Sequence, residues 1–425
     1  MIQSFYKRNT VFLLVCLYSS ASTLFAGDTI KLSVQDAEKV FLENNLQLIA
    51  TRMNMDIAAA ETAQARLWNN PQISIEEINL HRIPSSRLFD DLPGRPQQFS
   101  IEIEQEIRTA KKRSRLVEMH RLQEAVEEDL FYDVLRHLKK ELRMAFYSLV
   151  YSKNLIELLE NEIDAIRRLV KAMEQEFLRE NISALELTRT KALLFSLQTE
   201  LTAEKSEWFQ HQNRLRLLLN LPLHQNIEPL ITNNYAILPD MPVDELTAQA
   251  LISRRDYLAQ NRVLQIREVE YRYERSQRVP DITFSGIYDR WGGISEDFIG
   301  FGISFDLPVF NRNQHAARAA AIGIDQQQNK LNQYKKELQQ EVAEALKHYN
   351  EILLLYQAMD ADFISTFEQM HRVMLEGFKN REVGLVEFMD FFDSYKSARV
   401  NHNEIKLKLH KAREKLNFAV GTDLF

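Results

Sequence analysis

Proline and glycine are missing from long stretches of this chain. No proline lies between Pro96 and Pro222 or after Pro308, and no glycine lies between Gly94 and Gly286. Both residues interrupt helices, and the stretches without them hold many Leu, Ala, Glu, Gln, Lys and Arg, so long helices are the first expectation. Cysteine is nearly absent as well. Cys16 is the only one and sits in an N-terminal apolar run, so the expected mature chain has neither a disulfide nor thiol chemistry. Past that run, no uninterrupted apolar stretch approaches the roughly 18 residues that a spanning helix needs. Any crossing of lipid would have to be made by strands. A basic excess is missing too: the formal charge of −7 argues against a nucleic-acid surface. The local exception, Lys111-Lys112-Arg113-Ser114-Arg115, reads as a solvated face just inside a helix start.

Residues 1–26 read as a secretory signal. Lys7 and Arg8 precede an apolar run from Val11 to Tyr18, then small residues and Ala26-Gly27-Asp28. Cleavage is expected after Ala26, with Ala21 as the competitor. Neither Asp nor Glu occurs there, so losing Lys7 and Arg8 takes the charge from −7 to −9. Val15 stands where a lipoprotein signal wants a small residue, which argues against a lipid on Cys16.

The chain repeats itself. NNLQLIATRMNMDIAAAETAQARLWNNPQISIEEI and QFSIEIEQEIRTAKKRSR in the first half correspond to RRDYLAQNRVLQIREVEYRYERSQRVPDITFSGIYDR and FIGFGISFDLPVFNRNQHAAR in the second. Leu48 pairs with Leu258, Pro71 with Pro280 and Ile101 with Ile303. Further on, EFLRENISALELTRTKALL pairs with GFKNREVGLVEFMDFFDSY, matching Ile182 to Val383, Ser183 to Gly384 and Glu186 to Glu387. The expected organisation is a first repeat over 28–220, an equatorial linker over 221–245 and a second repeat over 246–425. Each repeat runs helix, strand, strand, long helix, turn, helix.

Two strands are expected in each copy, 72–80 and 98–107, then 281–290 and 298–307. Ile299, Phe301, Ile303, Phe305 and Leu307 share one parity, against Gly300, Gly302, Ser304 and Asp306; Phe99, Ile101 and Ile103 oppose Ser100, Glu102, Glu104 and Glu106. Such alternation gives two unlike faces, and about ten residues suit a tilted crossing of hydrocarbon. The change of parity between Ile75 and Ile78 suggests a bulge. Pro84, Ser85, Ser86, Pro93 and Gly94, and later Gly292 and Gly293, mark exposed loops. Pro308 is expected to end strand pairing.

The helices follow a heptad. Leu142, Leu149, Ile156, Ile163, Val170 and Phe177 lie seven apart, as do Leu338, Ala345, Ile352 and Met359, with Val373 two heptads on beside Met370. Long helices over 108–180 and 311–381 would each reach roughly 110 Å, and return helices over 182–220 and 383–420 about 58 Å. The short helices at 46–69 and 256–279, stacked on the returns, nearly complete those lengths. The result is a bundle of about 100 Å with strands at one end and hairpin turns at the other. Four strands cannot close a hollow barrel, which needs more than about eight, so several copies must contribute.

These features resemble the TolC-like outer-membrane channels of tripartite efflux pumps and type I secretion. The pieces that carry the likeness are SVQDAEKVFLENNLQL, NNPQISIEEI, LPVFNRNQHAARAA and the two turns at 180–187 and 381–388. LPVFNRNQ looks most like the CzcC and CusC heavy-metal efflux branch. The resemblance implies a mainly α fold with a β-barrel part: a homotrimer with a twelve-stranded outer-membrane barrel on a periplasmic α-helical barrel. It also implies a periplasmic adaptor protein as partner at the tip, an inner-membrane RND or ABC transporter as the energy source, no cofactor, no nucleic acid and no enzymatic chemistry.

Ile182, Ser183, Ala184, Val383, Gly384 and Leu385 are the adaptor-binding candidates by this likeness; a structural glycine at a helix break is the alternative reading of Gly384. Glu387, Asp390 and Asp393 recur every third residue, and the resemblance places acidic residues matching the first two in a lumenal constriction. Helix N-terminal charge or an ordinary wet face would explain them equally. Glu186 is expected to hold the closed state by pairing with a cation such as Arg381. His81, His211, His315 and His371 show no ligand spacing, and Met53-Asn54-Met55 reads as helix packing rather than a copper relay. Drug efflux and type I protein secretion stay open as other cargo classes. A soluble periplasmic coiled-coil protein is the rival of another kind, disfavoured by the four alternating strands.

Overall fold

A computed structural model of the chain describes residues 29–76, 99–230, 241–290, 297–359 and 361–425. The signal reading over 1–26, the bulge expected near Ile78, His81 and the loop residues 84–94 and 292–293 lie outside the described residues.

The first half runs β1 (Thr29–Leu32), α1 (Val34–Asn44), α2 (Leu46–Ala65), β2 (Gln72–Glu76), β3 (Ser100–Ile107), α3 (Lys112–Leu178), α4 (Ala184–Leu219) and β4 (Asn226–Pro229). The second half runs α5 (Val243–Ser253), α6 (Arg255–Ser276), β5 (Ile282–Asp289), β6 (Phe298–Ser304), α7 (Gln314–Gln357), α8 (Ala361–Lys379) and α9 (Leu385–Val420). At 67 residues, α3 alone is about 100 Å long. α2 and α4 pack along it, α6 and α9 pack along α7, and α3 also packs on α6 and α9 of the other half.

The duplication is written into the backbone. Left-handed residues begin the long helices (Lys111 and Asn313), end them at the tips (Glu180 and Arg381) and end the return helices (Asn220 and Gly421). Each pair lies 201 or 202 residues apart. Only the last position uses glycine on one side, so five non-glycine residues bear a conformation that L-residues rarely adopt.

The sheet has the order β2-β3-β5-β6, antiparallel throughout. Its register places Ile73 opposite Ile103, Ile75 opposite Ile101, Ile101 opposite Tyr288, Ile299 opposite Tyr288 and Phe301 opposite Gly286, so one face is apolar. Ser74, Glu102, Glu104, Ser285, Gly300 and Gly302 share the other. Phe301 is 92% exposed and Ile299, Ile303 and Ile73 are exposed as well, an apolar face with nothing on it. Gly300 and Gly302 leave room for their neighbours: a Cβ on Gly302 would stand 2.6 Å from Ser285 Oγ, and one on Gly300 2.8 Å from the Phe298 ring, so those side chains would have to turn aside.

β6 ends at Ser304, earlier than the expected 307. Thr283 is the last partner, opposite Ser304. Strand pairing therefore ends before the chain reaches Pro308, which is not what stops it. At the junction with the helices, the basic run is not the solvated face expected. Lys112 is buried with Nζ 2.9 Å from Asp281, Thr109 N donates to the same carboxylate at 2.7 Å, and the Arg113 guanidinium lies over the Trp68 ring.

The expected unbroken helix over 311–381 is divided between α7 and α8. The cause is a slip in the apolar stripe. α7 buries Leu338, Val342, Leu346 and Tyr349. Continuing that heptad predicts contacts at Met370 and Val373, which are exposed, whereas α8 packs through Phe367, His371, Leu375 and Phe378. The buried face thus moves one residue later, a turn of about 100° that a continuous helix would have to absorb by twisting. The break at Ala358 and Met359 absorbs it instead, with Met359 N donating to Tyr356 O in a tightened turn.

Two clusters form the equator. One joins Phe41, Leu142, Phe146, Leu149, Leu215, Leu219 and Ile227, beneath the parallel pair β1–β4; the other joins Leu246, Leu338, Val342, Tyr349 and Leu416. A charged belt crosses the two halves here. Arg143 reaches Glu38, Glu414 and Asp423, while Arg136 reaches Asp133 and Asp256. Nearby, fully buried Asp129 on α3 accepts from Arg262 Nε at 2.5 Å and Arg255 Nη1 at 3.2 Å, both on α6. Asp129→Ala strands two guanidiniums that are only partly exposed and should cost about 2–3 kcal/mol of stability. Thermal unfolding of the detergent-solubilised chain followed by circular dichroism checks this, and an unchanged midpoint would show the clamp to be dispensable.

Candidate functional site

The two turns joining the long helices to their returns lie at the end of the body opposite the sheet. Both are built over one core, in which Phe388 stacks on Phe378 at 4.7 Å among Ile166, Met173, Leu187, Leu197 and Phe392.

At the first turn, Glu180 takes the left-handed conformation (φ 59°) and Asn181 N donates to Glu176 O at 2.9 Å. Ser183 then caps α4 through a reciprocal box: Glu186 N donates to Ser183 Oγ at 3.2 Å and Ser183 N donates to Glu186 Oε2 at 2.9 Å. The expected pairing of Glu186 with Arg381 does not form, because the Glu186 carboxylate is committed to this cap. Arg381 Nη2 reaches Glu176 Oε2 at 2.5 Å instead, and the same carboxylate accepts from Asn181 Nδ2 at 2.8 Å and Arg179 Nη1 at 3.0 Å. Glu176, which the sequence reading passed over, is thus the group that binds one turn to the other. It sits four residues before the left-handed Glu180, inside a run of charge with nothing in its spacing to single it out.

The second turn has its close approach elsewhere than expected. A Cβ on Gly377 would stand 2.9 Å from Val383 Cγ2, so any larger residue there would have to push the Val383 side chain aside. Gly384, at φ −75°, has open space around it and no left-handed strain. The fold does not require glycine at 384, which removes the structural reading of that residue.

Among the six adaptor candidates, Ser183, Ala184 and Gly384 are exposed, whereas Leu385 is 8% exposed and Ile182 and Val383 pack against the core. Leu385 is therefore corrected from surface to core, since the helix start turns its side chain under the turn. The apolar residues that do stand out are Leu185, Val386 and Leu178, the last 83% exposed. Val386 follows the buried Leu385, and the helical period turns it the other way.

Glu387, Asp390 and Asp393 form one exposed stripe on α9, opposite the buried Leu385, Phe388, Phe392 and Tyr395. Asp393 lies 3.9 Å from Lys396, which is itself bonded to Glu200 on α4 at 2.9 Å. No cluster of three His, Cys, Asp or Glu able to hold a metal ion occurs among the described residues. Met53 is exposed and Met55 half-buried, so Met53 does not pack as expected. No helix among the described residues is long and apolar enough to cross a membrane.

Residues 39–221 match the outer membrane efflux protein family. The match runs from within α1 to just past the end of α4. Over nearly its whole length the chain is 19% identical to the cobalt-zinc-cadmium resistance protein CzcC of Cupriavidus metallidurans, covering 92% of this chain and 90% of that protein. The fold is the tandem-duplicated TolC-like channel fold. It superposes on the crystal structure of CusC with a TM-score of 0.74 at 16% identity, covering 94% of this chain and 95% of that one. The Campylobacter jejuni CmeC outer membrane channel gives a TM-score of 0.76 at 16% identity, covering 92% and 86%. The low identities make this a likeness of fold.

The hydrogen bonds and cations around Glu176 hold its carboxyl below the ordinary glutamate value, Asn181 first. A carboxylate stabilised in the fold contributes above its unfolded pKa and stops contributing as pH falls through the folded value. Acidification below about 4.5 should therefore loosen amide protection over residues 176–183. Hydrogen exchange should show this loosening, and Glu176→Gln should lack it.

Proposed function

We propose that the chain is the outer-membrane exit duct of a tripartite efflux pump of the RND type, exporting heavy-metal cations. It is a passive trimeric channel with a long periplasmic extension, opened from its tip by an adaptor protein, and no step of it is enzymatic. One observation carries the reading: a four-stranded antiparallel sheet with a bare apolar face and two unpaired outer strands sits on a helical body about 100 Å long. Lipid cannot satisfy strand edges, so the sheet makes sense there only when copies complete it. A soluble coiled-coil protein has no use for an exposed row of Ile299, Phe301 and Ile303.

The cargo class rests on the likeness to CzcC. The same fold in CusC and CmeC supports a channel without choosing its cargo. Ser183, Ala184 and Gly384 are the tip positions where an adaptor's backbone approaches, with Leu185 and Val386 beside them as apolar anchors. Gly384 supports this, because its smallness serves nothing within the chain. Glu387 and Asp390 make no ion pair among the described residues, and in a trimer three copies of each would crowd one axis and draw cations. Arg381 and Glu176 hold the two tips of one chain together.

Glu387→Ala or Asp390→Ala is expected to raise single-channel conductance or lessen divalent-cation block in planar bilayers. Unchanged conductance and block would remove the gate assignment. Gly384→Trp is expected to leave trimer yield unchanged and to lower metal tolerance in cells that supply the pump, read as a growth-inhibitory concentration.

A further inference from the structure

Two buried polar atoms inside the helical body face each other with no aligned hydrogen bond. Glu162 Oε2 on α3 and His371 Nε2 on α8 are 3.3 Å apart, and each side chain is less than a tenth exposed. His371 is fixed from its other side, stacked on the Tyr395 ring of α9 at 4.0 Å and within 5.7 Å of the Phe392 ring. The stack holds the plane of the imidazole, and Nε2 lies toward the carboxyl.

Charge nearby is scarce. From α8, Glu368 is committed to an ion pair with Arg399, and Arg372 is exposed. From α9 come Tyr395 and Arg399, with His402 and Lys406 farther along. On α3, Glu157 lies more than a turn away and reaches toward Lys153. A cavity of about 700 Å³ opens beside the pair, lined among others by Glu162, Tyr395, Arg399, His402 and Lys406, and gives protons a route in.

Two unpaired groups at this spacing are both satisfied by one proton placed between them. A carboxylate facing a neutral ring nitrogen is acceptor against acceptor; a carboxylic acid facing the same nitrogen is donor to acceptor. We propose that Glu162 and His371 form a proton latch, in which the neutral Glu162 carboxyl donates to the neutral His371 imidazole and pins α8 to α3, and loss of that proton frees α8.

α8 is suited to be held this way. The break at Ala358 and Met359 separates it from α7, so it can shift without carrying the equator. It leads directly into the second tip turn, so its position sets that of Arg381 and Gly384. The latch does not depend on what the duct carries.

Burial moves both groups toward neutrality. It pushes the Glu162 carboxyl up to about 7, with Arg399 opposing, and the His371 imidazole down to about 4. The latch therefore opens as pH rises through about 7. The signs for overall stability oppose each other. The folded Glu162 holds a proton that the unfolded one has lost, so stability falls as pH rises from 4.5 to about 7. The folded His371 has lost a proton that the unfolded one keeps, so stability rises from about 4 to 6.5. Global melting is nearly blind to the pair, and the test must be local.

The full chain in detergent is used. Glu162→Gln keeps the shape and gives His371 an amide donor that never titrates. Amide exchange over α8 is compared between the two proteins at each pH, which cancels both the intrinsic rate and the His371 contribution. The ratio of wild-type to E162Q opening is expected to grow about tenfold between pH 6 and pH 8. An infrared carboxyl band lost in E162Q should titrate near 7. A ratio independent of pH, or a midpoint at the ordinary glutamate value, overturns the latch. Should E162Q not accumulate, His371→Gln offers a donor to the carboxylate and should lower the band's midpoint; an unmoved midpoint overturns the proposal equally.

Discussion

A backbone N–H or C=O in hydrocarbon has no water to turn to, and this constraint organises the whole chain. β2 and β6 each present an unpaired edge, and the face between them is apolar from Ile73 to Phe301. Such a sheet is incomplete in water and incomplete in lipid. Only closure with further copies satisfies both the edges and the face, and closure explains why the polar face carries Gly300, Gly302 and Ser304: in a closed barrel it lines water. Away from lipid the constraint lifts, and the chain changes to long helices that satisfy their own backbone.

The helical body is then a problem of phase. Two copies of one plan, about 200 residues apart, put left-handed residues at the same three places in each half, yet the halves are not equivalent. The first long helix runs unbroken from Lys112 to Leu178, while the second slips by one residue and breaks at Ala358. The slip separates α8 from the equator and leaves it held by α9, by the Glu162–His371 contact and by the bond from Arg381 to Glu176. The asymmetry places the freer segment on the tip that carries Gly384 and the acidic stripe.

What the sequence made legible was whatever has a period. Alternation in 298–304 and 100–107, heptads in 142–177 and the duplication itself are regular signals, and the sheet and the long helices followed from them, while the TolC-like fold came from the resemblance of particular segments to a known family. Residues whose role depends on a partner distant in sequence stayed hidden. Glu176 looks like any helix carboxylate until Arg381, 205 positions later, is seen beside it. Leu385 looked like part of a small, open turn, yet one helical step decides that it faces inward while Val386 faces out. The break at 358 was readable in principle, since Phe367, His371, Leu375 and Phe378 form a better stripe than Met370 and Val373. It was masked because neither proline nor glycine marks it. Gly377 and Gly384 look alike in sequence, and only the space around a Cβ tells them apart.

The central claim is that edges β2 and β6 belong to each other across copies. With Cys16 replaced by serine, a set of double variants puts one cysteine on β2, at Ile73 or Ile75, and one on β6, at Ile299, Phe301 or Ile303. Oxidation in outer-membrane preparations followed by non-reducing gel electrophoresis reads the result. The account predicts that at least one register gives a covalent species three times the monomer mass and nothing larger. Monomers in every register, or an open ladder of ever larger species, would contradict a closed barrel shared by three chains.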